Sequence, residues 1–371
     1  MTICLFETLA AFTVSCLLSA MIIPRISLVA FKRRLFDPQN DRKLHTTPIP
    51  RLGGTAFFPC IAVPISLIIA CHNLCTDSNL LCWEQSTCLL TLFSCLFILY
   101  LAGMKDDLIG MRYRAKFVIQ TLCGLLLVAS GFCFNNLYGL FGIHELPHYI
   151  GIPFTVFIIV YIMNAINLID GIDGLASGLS IIAFFAFGCM FVCLDWWLYA
   201  FISFAALGVL IPFFYYNMFG QTRRGRKVFM GDTGSQTIGL LLAVMAIRLS
   251  MFDPVKEKIF PGAIVTSFSF LLVPMLDVVR VVLHRLRTHK PPFLPDKNHI
   301  HHKFIALGMS QHQALGFILG IAWIFIMSNT LLAPYLSVTV LFLLDVTVWT
   351  AMHFYITAKI LKKKKKKKTK N

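Results

Sequence analysis

The densest chemistry in the chain lies in Asn164-Ala-Ile-Asn-Leu-Ile-Asp-Gly-Ile-Asp-Gly-Leu175, between the apolar runs Ile150–Met163 and Leu179–Leu194. Two amides, Asn164 and Asn167, and two carboxylates, Asp170 and Asp173, stand at the mouth of an apolar segment. Polar groups in such places are costly to bury and are usually kept for function. Gly171 and Gly174 interrupt a long helix and let a backbone turn approach a ligand closely. One reading is an active-site loop between two membrane helices. The other is a polar turn with two helix caps.

Four further clusters carry similar residue types. Gly103-Met-Lys-Asp-Asp-Leu108 sets Asp106 and Asp107 side by side at the end of an apolar stretch. Adjacent like charges call for a cation or a shared proton. Hard oxygen ligands suit Mg²⁺, which binds through one or two carboxylates plus substrate phosphates. An exposed helix end with Lys105 as partner is the plainer account, and Lys116 further on offers positive charge to a phosphate. Asn217 opens a basic loop that ends in Gly231-Asp-Thr-Gly-Ser235 and leads straight into a helix. A glycine-flanked helix start presents free N–H groups to an anion. Asp232 there offers a metal ligand, or only a cap.

The first basic loop holds Lys43, His45 and Arg51, and its Leu52-Gly-Gly54 predicts a bend followed by a close helix contact. The last has Asp277 and Arg280, then Pro291-Pro-Phe-Leu-Pro-Asp-Lys-Asn-His-Ile-His-His-Lys303. His299, His301 and His302 lie between Lys297 and Lys303. That cationic company disfavours a metal and favours imidazoles that donate to diphosphate oxygens.

Clusters of this kind need a scaffold, and the composition says which. The chain has 371 residues, 57% hydrophobic and 13% charged, with mean hydropathy +0.76. Soluble domains average about 45–50% apolar and about 25% charged. An all-α, polytopic membrane protein is expected. Windows long enough to cross about 30 Å of hydrocarbon fall near 3–23, 51–71, 86–104, 115–134, 149–168, 175–194, 196–218, 233–251, 259–281, 311–330 and 335–358. That gives about eleven helices, or ten if the last two are one. No small-residue cleavage site stands out after the first run, which reads as a retained helix. No internal repeat is evident. The expected organisation is one transmembrane catalytic domain over 1–361 and a basic cytoplasmic tail over 362–371.

Lys and Arg gather in 24–51, 105–116, 223–227, 280–303 and 362–370, which hold 29 of the 33. All five stretches fall on one side of an eleven-helix alternation. Loops 72–85, 131–148 and 328–334 hold none, and Lys256 and Lys258 are the loop exceptions. Positive charge marks the cytoplasmic side, so the N-terminus faces out, the C-terminus in, and all five polar clusters face the cytoplasm. The net charge of +16 is then a matter of topology and anionic headgroups, with no nucleic-acid partner implied. Most of the twelve Cys lie in apolar helices as small hydrophobes. No disulfide is expected between Cys75 and Cys82, and no zinc-type spacing appears.

Metal-ready carboxylates, an anion-binding helix start and a His/Lys/Arg set are the parts of phosphoryl transfer. A transporter is the competing class, since Asp345 is an intramembrane acid and broken helices suit transport. Transport sites lie near mid-membrane, however, whereas these clusters gather on one face.

Asp106-Asp107, Asn164-x-x-Asn-x-x-Asp-Gly-x-Asp-Gly-Leu175, Phe229-Met-Gly-Asp-Thr-Gly-Ser235 and Pro292-Phe-x-Pro-Asp-Lys-x-His-x-His-His302 together resemble the polyprenyl-phosphate N-acetylhexosamine-1-phosphate transferases. That superfamily includes the enzymes that start O-antigen and wall teichoic acid synthesis, and phospho-N-acetylmuramoyl-pentapeptide transferase. The resemblance implies that Asp106 and Asp107 lie next to the lipid phosphate and that Asp232 binds Mg²⁺, with Mn²⁺ as substitute and Asp107 as co-ligand. It implies that Asn167 and Asp170 lie near the uridine, with Asn164 and Asp173 in the same loop. Asn217, His299, His301 and His302 would belong to the nucleotide and diphosphate pocket, and Lys116 to the same cavity. Asp106, Asp107, Asp232 and His301 are the expected catalytic residues. Asp106 as base and a covalent phospho-Asp are rival schemes.

The His299-x-His-His302 spelling resembles the N-acetylglucosamine branch; the muramoyl-pentapeptide branch has three consecutive His there. The implied reaction joins UDP-N-acetylglucosamine to undecaprenyl phosphate, giving undecaprenyl-diphospho-N-acetylglucosamine and UMP. It would be the first membrane step of a cell-surface polysaccharide pathway, in the bacterial inner membrane. Muramoyl-pentapeptide or another UDP-N-acetylhexosamine is the alternative donor. The lipid bilayer is an implied partner, and a homodimer stays open. The lysine tail lies outside the family pattern and is given no catalytic role.

Overall fold

The computed structural model describes residues 2–33, 51–76, 79–221, 226–252, 262–289 and 298–368. Its helices are α1 (Thr2–Lys32), α2 (Phe57–Cys75), α3 (Trp83–Ile109), α4 (Tyr113–Ala129), α5 (His148–Ile169), α6 (Leu175–Cys193), α7 (Trp197–Phe219) and α8 (Gly231–Ser250). They continue with α9 (Ala263–Ser269), α10 (Leu272–Arg287), α11 (Ile300–Ala306), α12 (Gln311–Leu332) and α13 (Val338–Lys368). A 3-10 turn, Leu52–Ala56, precedes α2. Among the described residues nine helices are long and apolar enough to cross a bilayer, and the bent pair α9–α10 is a tenth candidate. The 17-residue α4 occupies the remaining apolar window. The chain is a polytopic all-α membrane protein.

Two features depart from plain spans. Within the window at 259–281, α9 and α10 form a pair bent by 76° at the break between them. Pro274 stands in the first turn of α10 and has no N–H to donate to Phe270 one turn back, which favours a break at this point. The loop at 131–148 folds into an antiparallel hairpin of β1 (Asn136–Leu140) and β2 (Ile143–Glu145). Phe141 and Gly142 both have positive φ, 50° and 80°, which matches a two-residue turn that follows the strand twist.

Backbone packing groups the chain into two compact units, 1–135 with 146–251 and 136–145 with 252–371. In the first unit α8 is the hub. It packs against α2, α3, α5, α6, α7 and the 3-10 turn. Of its most apolar 18-residue window, 94% is buried, against 28% for α1. A helix that is apolar all round belongs inside a bundle. In the second unit α12 packs on α9, α10, α11 and α13, and the hairpin rests on α13, with Phe141 N–H donating to Thr339 Oγ1 at 2.8 Å. The lysine run, read as a solvated tail from 362, continues α13 as helix to Lys368. All twelve cysteines are free.

Glycines set how closely α8 is approached. A Cβ on Gly54 would lie 2.3 Å from the backbone of Gly234, and one on Gly103 would lie 2.5 Å from Thr233 Cα. The Gly53 and Gly54 N–H groups donate to the Phe229 and Met230 carbonyls at 3.1 and 3.0 Å. The close contact expected of Leu52-Gly-Gly54 is thus a backbone-on-backbone seam against the start of α8. Gly54→Ala should destabilise the protein by about 1–3 kcal/mol through overpacking. Gly316→Ala, where the added methyl meets nothing within 4 Å, should not lower stability. Melting of both variants in detergent checks the order.

Candidate active site

The last turn of α3 carries Asp106 and Asp107, and the Gly103–Thr233 approach one turn earlier sets it over the start of α8. Met230 at the α8 N-cap provides no side-chain cap. The cap comes from α3 instead. Asp107 accepts the Asp232 N–H at 2.7 Å, the Thr233 N–H at 3.0 Å and the Thr233 hydroxyl at 2.6 Å. Gly231, at φ 69°, has no room for a side chain: a Cβ would lie 2.2 Å from the Arg51 carbonyl and 2.7 Å from both Asp107 oxygens. The anion at this helix start is therefore the chain's own carboxylate. That differs from the expected phosphate cradle, and it occupies both oxygens of the Asp107 expected to bind metal.

With the backbone so held, the Asp232 side chain turns to α4 and α5. Its Oδ1 accepts Lys116 Nζ at 2.8 Å and Asn167 Nδ2 at 2.8 Å. Lys116 also pairs with Asp106 Oδ2, so one ammonium bridges two carboxylates. Asn167 reaches Ser235 Oγ at 2.7 Å. One turn back on α5, Asn164 donates to Gln120 Oε1 at 2.8 Å and to the Val160 carbonyl at 2.7 Å. Gln120 lies one turn after Lys116, so α4 and α5 meet directly at Gln120 and Asn164, and through Asp232 of α8 at Lys116 and Asn167.

The loop at 170–174 is clamped to the segment before α8. Asp173 pairs with Lys227 at 2.6 Å. Asn217 accepts the Gly174 N–H at 2.6 Å and donates to the Val228 carbonyl at 2.8 Å. Both ends of the Asn217 amide thus hold backbone. Asp170 is an exposed residue, so its carboxyl is desolvated only in part. Loss of solvation, then the charges of Asp173 and Asp232, raise its carboxyl to about 7 against the pull of Arg51.

The first unit therefore gathers Asp106, Asp107, Lys116, Asn164, Asn167, Asp170, Asp173, Asn217 and Asp232. Lys43 and His45 lie outside the described residues, as does 292–297 of the last motif. His299, His301 and His302 form a cluster of their own in the second unit. There the buried Asp277 of α10 accepts Arg280 at 2.8 Å and the Ile300 N–H at 3.1 Å, and pairs with His299 Nδ1 at 2.8 Å. The His301 ring stacks on His299 at 5.8 Å and meets His302 at 4.1 Å. His301 is 1% exposed, and neither ring nitrogen has a hydrogen-bond partner. Burial, then the charges of His302 and His299, lower it to about 3, so it is neutral at physiological pH.

Among the described residues no three His, Cys, Asp or Glu side chains converge on a metal position. Gln120, Thr233, Ser235 and Lys227 escaped the sequence reading as site residues. Gln120 stands four residues after Lys116, on the same helix face, which was the available signal. Lys227 was counted only as positive-inside charge.

Asp170 gives a pH test. A carboxyl with a raised folded pKa binds its proton more tightly when folded, so its contribution is present below about 4 and is lost as pH rises to about 7. Asp170→Asn should match the wild type in melting temperature near pH 4 and exceed it above pH 7. A constant difference across melts at pH 4–8 would contradict this environment.

A sequence profile described as glycosyl transferase family 4 matches residues 89–250. Over 348 residues the chain is 30% identical to a probable undecaprenyl-phosphate N-acetylglucosaminyl 1-phosphate transferase of Bacillus subtilis, covering 92% of this chain and 90% of the relative. It is 34% identical over 292 residues to the undecaprenyl-phosphate alpha-N-acetylglucosaminyl 1-phosphate transferase of Pasteurella multocida, covering 77% and 75%. The Escherichia coli K12 protein of that name is 28% identical over 290 residues, covering 77% and 73%. The matched span holds α4, α5 and the start of α8, which carry Lys116, Asn167 and Asp232, and the chain belongs to glycosyl transferase family 4, on the branch of these N-acetylglucosaminyl 1-phosphate transferases.

Proposed function

We propose that the protein transfers N-acetylglucosamine-1-phosphate from UDP-N-acetylglucosamine to undecaprenyl phosphate at the cytoplasmic face of a bacterial inner membrane. The observation that carries this reading is the Lys116 ammonium held between Asp106 and Asp232 at the start of a buried helix. The choice of sugar and lipid follows the names of the relatives and the His299-x-His-His302 spelling. The cytoplasmic placement follows the basic loops. Asp345, the residue that suited a transporter, is paired with Asn329, whose amide lies 3.0 and 3.1 Å from its two oxygens.

An oxygen of the acceptor phosphate attacks the β-phosphorus of the donor, the bond from that phosphorus to UMP breaks, and UMP leaves with the electron pair. A phosphomonoester has a second pKa of about 6 and is mostly dianionic at pH 7, so no strong base is required. Lys116 attracts and orients the acceptor phosphate. Asn167 fixes the rotamer of Asp232, and Asp107 fixes its backbone. The resemblance assigns His301, neutral and unpaired in the second unit, to the diphosphate oxygens.

Mg²⁺, with Mn²⁺ as substitute, fits a donor set of two carboxylates completed by water and phosphate oxygens. Asp106 and Asp232 would hold it, since Asp107 has both oxygens engaged by α8. When bound, it neutralises charge that develops on the diphosphate. The two carboxylates already converge on one cation, Lys116, which supports that fit.

Inverted membrane vesicles supplied with undecaprenyl phosphate and a panel of labelled UDP-sugars test the reading. UDP-N-acetylglucosamine should give a lipid-linked product and release UMP, UDP-muramoyl-pentapeptide should not, and right-side-out vesicles should be inactive. Asp232→Asn should lower the rate by at least about 10²–10³, the cost of one stabilising group at a developing charge. Its melting temperature should stay near that of the wild type, because Asn keeps the size. Near-normal rates at low Mg²⁺ in Asp232→Asn would contradict the assignment.

A further inference from the structure

The lysine run after α13 plays no part in the mechanism above, yet one of its residues makes a specific contact. Lys363 Nζ donates to the Leu307 carbonyl at 2.7 Å. Leu307 follows α11, the short helix that has His299 as its N-cap and carries His301 and His302. Two residues past the end of α11 stands Gly308, with φ 95°, where a Cβ would lie 2.5 Å from the Lys363 ammonium. The last carbonyls of a helix lack partners within it, and a cation there satisfies them and meets the negative end of the dipole.

A second contact joins the same two helices two turns earlier on α13. Lys303 Nζ lies 3.0 Å from Thr357 Oγ1 and 3.3 Å from His353 Nδ1. The Thr357 hydroxyl donates its own proton to the His353 carbonyl at 2.7 Å, so its oxygen accepts from Lys303. Burial, then the charge of Arg280, lower Lys303 to about 8, which makes its two acceptors matter more than they would at the surface.

We propose that α13, through Thr357 and the Lys363 of its lysine run, positions the histidines of α11 for the donor diphosphate. Lys303 and Lys363 fasten α11 at its middle and its end, while Asp277 fastens its start through His299 and the Ile300 N–H. A seven-residue helix cannot hold its own orientation, since isolated helices shorter than about 12 residues are marginal. Its placement must come from such tertiary ties. Thr357 and Lys363 touch no reacting atom in this scheme and act only through α11. The inference rests on the reading of His301 as a diphosphate donor.

The test is steady-state kinetics of the full chain in native-lipid membranes, with each substrate varied in turn. Lys363 is exposed, so Lys363→Met leaves the core intact. Thr357→Val keeps the side-chain shape. The double variant should raise KM for UDP-N-acetylglucosamine by roughly tenfold, the order of loss that slight misplacement of a binding group brings. KM for undecaprenyl phosphate should stay within about twofold. A merely structural role would remove active protein and alter neither KM. Lys363→Arg should restore the donor KM, and Lys366→Met should leave it unchanged. His301→Ala separates the two claims. An inactive His301→Ala beside an unchanged donor KM in the double variant overturns the positioning role. Normal activity of His301→Ala overturns the underlying assignment and the proposal with it.

Discussion

The carboxylate of Asp107 on the amide start of α8 is the contact on which the rest of the first unit depends. A helix that begins inside a bundle brings unpaired N–H groups with it, and leaving a buried donor unsatisfied costs about 1–3 kcal/mol. Here a neighbouring helix, α3, provides the acceptor. Because that contact fixes the Asp232 backbone, the Asp232 side chain can meet Lys116 and Asn167. The cap thus also aims the site.

Close backbone approach makes the cap possible. Gly54, Gly103, Gly231 and Gly234 crowd the α8 start so closely that a methyl group on any of them would meet a neighbouring atom under 3.0 Å away. At Gly231 the obstacle is Asp107 itself together with the Arg51 carbonyl. Three chain segments, the 3-10 turn, the end of α3 and the start of α8, approach backbone to backbone at Gly54 and Gly103. The polar side chains that remain form a chain of contacts, from Asp106 to Lys116, from Lys116 to Asp232 and from Asp232 to Asn167. One ammonium between two carboxylates leaves a set of groups that a metal and a phosphate can rearrange.

Much of this was legible in the sequence. Eleven apolar windows correspond to helices or to the broken pair α9–α10, and the Asp106–Asp107, Asn167 and Asp232 motifs meet in space. The division of labour was not legible. Two adjacent aspartates look alike in sequence, and only the crossing at Gly103 decides that Asp107 faces α8 while Asp106 faces Lys116. The resemblance places Asn217 in the nucleotide pocket, and the sequence does not show that its amide also holds the Gly174 and Val228 backbone. The hairpin at 136–145 was missed because its five- and three-residue strands are too short to carry a pattern. The lysine run looked like a solvated charge block, since the sequence does not show that Lys363 reaches the end of α11.

Hydrogen–deuterium exchange at the Asp232 and Thr233 amides measures the central claim directly. In the wild-type protein both amides should be protected. Asp107→Ala should speed their exchange by roughly tenfold or more, the equivalent of about 1.4 kcal/mol in local opening, while Asp106→Ala should leave it near the wild-type rate. Equal effects of the two substitutions, or continued protection in Asp107→Ala, would contradict the account in which Asp107 caps α8 and through it places Asp232.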